Sequence, residues 1–236
     1  MAKINEKEKN SISKPRLRYS LVAYVDFLGT KGNMNSDTKY LNTVLELYDD
    51  AIRMISDKEG DKETKINYKS FSDNIVFSMH LEKNPITIEQ MEKDRKVFDT
   101  LFAFICAFQR AALKKGYLIR GGITCGDFYL NEKLVWGDAL IKAVQLEENV
   151  AIYPRVVVDE DLRSLKIQTV YYSEMVEKDE DQVTYINFLN DEENNLEEYK
   201  GAYSNFNEKH DAERNPRIKQ KYGWILSYMK NHINNL

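Results

Sequence analysis

The sequence predicts an α+β domain in which helices pack on one face of a mainly antiparallel sheet. Three observations predict it. Segments of strand and helix character follow one another as strand, helix, hairpin, helix, strand, helix, strand. Residues 19–25 (YSLVAYV) have the aromatic and β-branched make-up of a buried strand. Residues 91–115 have a centre, LFAFICAF, that is apolar nearly all round, as suits a helix lying across a sheet.

The elements can be justified in order. The first strand stops at Asp26, which leaves a carboxylate at its tip. From about residue 39 to 55, apolar Tyr40, Val44, Leu47, Tyr48, Ala51 and Ile55 recur at near-helical spacing. Residues 65–71 and 75–79 are two short strands separated by Ser72, Asp73 and Asn74, residue types that suit a tight reversal, so a hairpin carries Asp73 at its turn. Gly116 gives the long helix its C-terminal stop. Residues 117–130 (YLIRGGITCGDFYL) form another core strand, rich in glycine. Trp136-Gly137-Asp138 leads into a helix running to about Glu148, with Asp138 as its N-cap. Residues 156–158 are a further strand, residues 169–173 pair with 183–188 across the acidic EKDEDQ loop, and residues 216–232 form a closing helix. The EKDEDQ and NDEENNLEE runs read as solvated loops, and no internal repeat is present.

A chain of 236 residues with 42% hydrophobic content suffices for one compact unit. Residues 1–15 are polar and end at Pro15, so they read as a flexible lead; residues 16–160 form the main domain and 161–236 an extension packed on it. The net charge is −4 with both signs interspersed, which provides no cationic field for a nucleic-acid backbone and argues against such a partner. The two cysteines, Cys106 and Cys125, are too few and too far apart for a disulfide scaffold or zinc knuckle, so both are expected reduced, buried and inert. No stretch reaches the roughly 18 to 20 apolar residues that span a bilayer. The opening MAKINEKEKN lacks the apolar centre of a signal peptide. A cytoplasmic protein without a membrane partner is therefore expected.

The topology lets Asp26 and Asp73 converge although they lie far apart in the chain. Facing carboxylates raise each other's pKa unless a cation lies between them. Mg²⁺ takes a few carboxylates together with waters and substrate phosphates, so two aspartates and a triphosphate make a complete site. In a two-metal arrangement, with ions about 3.5 to 4 Å apart, one activates an attacking hydroxyl and the other holds the leaving pyrophosphate. The turn Phe27-Leu28-Gly29-Thr30-Lys31 adds backbone N–H groups that can face phosphate oxygens. On spacing alone, Asp26 reads equally as a metal ligand and as a helix cap.

Three ordered blocks carry a family resemblance over residues 20–148. YVDFLGT resembles the first metal-aspartate motif of the class III nucleotidyl cyclases, and KSFSDNIVFS the hairpin with the second. RGGITCGDFYL followed by VWGDALIKAVQLEE resembles their later strand and helix. The resemblance implies a ferredoxin-like cyclase fold, and Asp26, Asp73 and the backbone of Phe27 as holders of two Mg²⁺ or Mn²⁺ ions per site. It also implies nucleotide contacts at Phe27, Leu28, Gly29, Thr30 and Lys69, and a homodimer whose second copy completes each site with residues 134–145. The position that reads a purine in the family is Leu134 here, and the family's Asn and Arg of the following helix fall on Ile141 and Gln145. The set RGGIT, WGDAL and the C-terminal KYGWILSYM is similar to the pyrimidine cyclases of the Pycsar antiphage system. That similarity implies UTP, with CTP as alternative, cyclised to a messenger that activates a separate effector.

Among supporting residues, Arg120 reads as a cation for phosphate or a pyrimidine carbonyl, and equally as a structural ion pair. Lys69 shares a strand face with Phe71 and matches the family's base-contacting lysine, or else points to solvent; Tyr68 lies on the other face. Trp136 and the C-terminal aromatics read as core or dimer packing. His80, His210 and His232 have no ligand spacing. Two other function classes compete with a cyclase: a cyclase-like regulatory module without turnover, motivated by Ile141 and Gln145, and a two-metal polymerase-like nucleotidyltransferase, for which the basic surface is lacking.

Overall fold

β1 (Arg18–Leu28) runs through the sheet between β3 (Asn74–His80) and β4 (Leu118–Leu130), antiparallel to both. The computed structural model describes residues 15–28, 38–56, 65–164, 174–190 and 196–233. β2 (Asn67–Phe71) pairs on the outside of β3, giving the order β2-β3-β1-β4. With α1 (Thr38–Ser56) after β1 and α2 (Ile88–Lys114) after β3, this is the βαββαβ ferredoxin-like arrangement. Beyond β4 the sheet continues through β6 (Val156–Val158), β8 (Thr184–Ile186) and β7 (Val176–Lys178), while β5 (Val135–Gly137) folds back on the end of β4. The β4–β6 pair alone among these is parallel, so the sheet is mainly antiparallel as predicted.

Strand alternation sorts the side chains into two layers. Leu21, Ala23, Val25 and Phe27 of β1, with Ile75, Phe77, Met79, Ile119 and Ile123, share one core with α2. Aromatic edges knit this layer: Phe77 meets Phe104 at 4.8 Å between centroids, and Phe27 meets Phe108 at 5.9 Å. Thr87 and Gln90 form a capping box, which starts α2 at Ile88, ahead of the predicted residue 91. Gly116, with φ 78°, supplies the left-handed stop. Beyond the short α4 (Asp161–Ser164), α5 (Leu196–Ala212) and α6 (Pro216–His232) join the same core through Tyr199, Ala202, Phe206, Ile225 and Met229.

Val22, Tyr24, Val76 and Phe128 face the other way and are covered by Ala139 and Ala143 of α3 (Asp138–Asn149). Helices therefore cover both faces, which corrects the one-face expectation. The reason lies in β4: a Cβ on Gly122 would stand 2.5 Å from Leu146 Cβ and 2.6 Å from the Ala143 carbonyl, so only glycine lets α3 lie this close.

Other expectations are corrected too. Gly137, not Asp138, is the N-cap of α3, and it makes no side-chain capping bond; Asp138 is the first helical residue. Residues 169–173 lie outside the described residues. Among the described residues, β8 pairs with β6 and β7. The EKDEDQ run is not merely solvated: Arg155, fully buried, holds the carboxylates of Asp179 and Asp181. Trp136 is 65% exposed and belongs to no core. Cys106 is buried, whereas Cys125 is half-buried against the Tyr19 hydroxyl, and neither forms a disulfide. No described helix is long and apolar enough to cross a membrane.

Candidate active site

The β1–β3 register places Asp26 opposite Asn74, and the β1–β4 register places it opposite Arg120. One residue on, the Phe27 N–H donates to the Asp73 carbonyl at 3.2 Å. Asp73 occupies the two-residue reversal between β2 and β3, where Ser72 takes the left-handed region at φ 60°. The Asn74 side-chain amide donates to Asp73 Oδ1 at 3.3 Å. The hairpin turn is thus bonded to the end of β1. Tyr24 lies two residues before Asp26 on β1. Burial and the charges of Glu147, Asp26 and Asp73 push its phenol up to about 12. By strand alternation Asp26 shares the α3 face with Val22 and Tyr24.

Arg120 sits among these acids. Its Nε–H donates to Asp26 Oδ2 at 3.4 Å. The same nitrogen lies 2.5 Å from Glu147 Oε1, a charge contact in which the N–H is not aligned on that oxygen. Glu147 is 4% exposed. Burial pushes its carboxyl above the usual range; the Arg120 charge opposes this and the Asp26 charge adds to it. Lys221 of α6 lies within electrostatic reach of the cluster. Burial and the Arg120 charge lower its pKa, against the pull of Asp26 and Glu147. Glu147 and Lys221 escaped the sequence reading. Glu147 did leave a signal, because residues 139, 143 and 147 recur every four positions on the buried face of α3. Lys221 left none.

The remaining predicted residues fall as follows. Lys69 donates to the carbonyls of Asn131 at 3.2 Å and Glu132 at 2.8 Å, so it fastens the β4–β5 loop instead of pointing to solvent. Phe71 approaches Tyr24, while Tyr68 stacks near Tyr48 of α1 at 4.1 Å on the opposite face. The Phe27 ring is buried in the core, so only its backbone can serve a ligand, and Leu28 flanks that core. Gly29, Thr30 and Lys31 lie outside the described residues. Leu134, Trp136 and Ile141 are exposed by 48%, 65% and 61%. His80 meets Ser20, and His232 meets Glu177, both away from the acids.

Among the described residues no three of His, Cys, Asp and Glu form a metal cage. The donors that Asp26, Asp73 and the neighbouring main chain could offer are carboxylate and carbonyl oxygens. They are all hard oxygens, which fits Mg²⁺ or Mn²⁺ when phosphates and waters complete the sphere. A cleft of about 350 Å³ lies elsewhere, lined by Tyr153, Glu177, Asp179, Trp224 and His232 among others. Three of its carboxylates are taken internally, Glu177 by Tyr185 and His232, Asp179 by Arg155 and Trp224, and Asp181 by Arg155, which makes it a structural junction.

No family model matches the chain, and no curated protein matches it. Among solved structures it is similar to the adenylyl cyclase CyaB from P. aeruginosa, at 12% identity and a TM-score of 0.43, over 74% of this chain and 96% of that one. It is also similar to a bacterial light-regulated adenylyl cyclase, at 12% identity and a TM-score of 0.43, over 82% of this chain. The match spans 59% of that second protein.

Proposed function

We propose that the chain is a nucleotidyl cyclase that converts UTP to 3′,5′-cyclic UMP and pyrophosphate by attack of the ribose 3′-hydroxyl on the α-phosphate. The observation that carries this is the bond from Phe27 N–H to the Asp73 carbonyl. It joins the end of β1, which carries Asp26, to the hairpin turn, which carries Asp73, in the order the sequence motifs require. Asp26, Asp73 and the Phe27 main chain would hold two Mg²⁺ or Mn²⁺ ions. When bound, these supply a lowered pKa at the attacking hydroxyl and neutralise the leaving pyrophosphate. Arg120 presents a fixed guanidinium beside Asp26, matched to phosphate oxygens. Lys69 holds the loop that carries Leu134, whose apolar side chain has no means of reading a purine edge by hydrogen bonds.

The site is completed in this reading by residues 134–145 of a second copy, consistent with the exposed Leu134, Trp136 and Ile141. Residues 16–160 form the catalytic unit and 161–236 an extension on it. By resemblance, the cyclic pyrimidine nucleotide is a messenger for antiphage defence, made in the cytoplasm and sensed by a separate effector.

One assay tests the reading: incubation of the purified chain with each of the four ribonucleoside triphosphates and Mn²⁺, with products identified by mass. Cyclic UMP and pyrophosphate are expected, and Asp26→Asn or Asp73→Asn should lower the rate by about a thousandfold, the scale of several kcal/mol of lost charge stabilisation. Cyclic CMP as sole product would move the base assignment. Nucleotide binding without product would favour the regulatory module motivated by Ile141 and Gln145, and linear oligonucleotides a polymerase-like transferase. Normal turnover by either aspartate variant would remove the metal assignment.

A further inference from the structure

We infer that Glu147 is a positioning residue that anchors the Arg120 guanidinium and keeps it from closing on Asp26 when the site takes up metal and nucleotide. The inference rests on the cyclase reading above and adds to it a residue that the sequence motifs did not single out.

Two acids compete for one guanidinium. Asp26 Oδ2 accepts the Arg120 Nε–H at 3.4 Å, while Glu147 Oε1 lies 2.5 Å from the same nitrogen. Asp26, two residues before the end of β1, is the acid that must meet a cation in this reading; a guanidinium held by it alone would be a resident competitor. Glu147 gives Arg120 a second place to stay. It is 4% exposed, and a buried carboxylate without a charge partner is strongly disfavoured, so Glu147 holds Arg120 as firmly as Arg120 holds it. The geometry is built in from two elements. Gly122 lets α3 settle on β4, and the spacing of 139, 143 and 147 turns the carboxylate toward the sheet. The other groups acting on this pair are Asp26, Glu148 and the Lys221 ammonium from α6. Once Asp26 is occupied by a cation, the arrangement leaves Arg120 on Glu147, fixed and charged beside the place where the triphosphate would lie.

A purely structural role for Glu147 would be largely met by glutamine, which keeps shape and an acceptor. Positioning needs the charge. The test uses the full chain and two readouts: Mn²⁺ affinity by electron paramagnetic resonance in the presence of 3′-deoxy-UTP, and turnover of UTP. Glu147→Gln should weaken Mn²⁺ about tenfold and lower kcat, because Arg120 now closes on Asp26; coupling of this size is usual between contacting charges. Arg120→Ala should bind Mn²⁺ at least as tightly as the unaltered chain while losing kcat. In the Arg120→Ala background, Glu147→Gln should change Mn²⁺ affinity no further. Glu148→Gln, which removes an equal charge that reaches the pair only from an exposed, solvent-screened position, should change both readouts by less than about twofold.

Glu147→Gln weakening Mn²⁺ by the same factor with and without Arg120 would show a field effect only and overturn the inference, as would no change in either readout. Should Glu147→Gln fail to fold by circular dichroism, Glu147→Asp, which withdraws the carboxylate from Arg120 by one methylene, should weaken Mn²⁺ when Arg120 is present and not when Arg120 is alanine; equal weakening in both backgrounds overturns the inference. If the unaltered chain neither binds Mn²⁺ with the analogue nor turns over any triphosphate, the cyclase reading falls and this inference with it. If the unaltered chain does both and Asp26→Asn abolishes them, an additive Glu147–Arg120 cycle removes the inference alone.

Discussion

Asp94, in the second turn of α2, has a carboxyl almost out of water, with one oxygen accepting the Glu82 backbone N–H at 3.0 Å. Burial raises its pKa, and the Glu82 hydrogen bond only partly opposes this. The folded state therefore binds this proton more tightly than the unfolded chain, whose aspartate titrates near 3.9. Stability from this group is greatest at low pH and is lost as pH rises from about 3.9 through the folded pKa. Asn at this position keeps the acceptor and removes the charge. Asp94→Asn should match the unaltered chain in Tm below about pH 4 and exceed it progressively above, which a series of thermal unfolding curves would check. A constant difference at all pH values would mean that the charge is not what burial penalises. Residues of this kind mark the boundary of what sequence can tell. Asp26 and Asp73 stand out because strand ends and tight turns expose side chains at predictable places. Asp94 and Glu147 lie on helices among other acids, and a sequence without neighbours in space cannot say which carboxylate is dry.

At the scale of elements, legibility followed length and contrast. β1 and α2 are long with strong apolar patterns and were readable nearly to their ends. β5 and β7 have three residues each, too few to establish a period. α5 was missed although Tyr199, Ala202 and Phe206 mark a buried stripe, because acids, asparagines and Gly201 dilute it. The placement of α3 hung on Gly122, whose meaning appears only when β4 meets the helix. Two glycine substitutions separate close approach from mere flexibility. Gly122→Ala brings its Cβ against Leu146 and the Ala143 backbone, and should cost about 1 to 3 kcal/mol by urea denaturation while lowering turnover, since α3 carries Glu147. Gly201→Ala, in α5 with nothing within 4 Å of the new methyl, should gain about 0.5 to 1 kcal/mol and leave turnover unchanged. Equal effects at the two sites would mean that α3 can shift without harm.

The molecule gathers Asp26, Arg120 and Glu147 on the face that α3 covers and bonds the turn carrying Asp73 to β1, yet leaves Leu134, Trp136 and Ile141 uncovered on β5, α3 and the loop before them. Large apolar side chains grouped in this way are more often contact surface than solvent-facing decoration. If a second copy completes each site through residues 134–145, the aspartates and the completing face act from different chains in any one site. Two individually inactive chains can then rescue each other. Asp26→Asn has an intact completing face, and a Trp136→Ala, Ile141→Ala chain has intact aspartates. Mixed and allowed to exchange, they should form heterodimers with one working site, and pyrophosphate release should return to a fraction of the unaltered rate while neither chain alone releases it. Sedimentation of the mixture as a dimer would accompany the rescue. A mixture that sediments as a dimer and stays inactive would place both functions in the same chain, and a chain that turns over as a monomer would leave the exposed apolar face without a catalytic role.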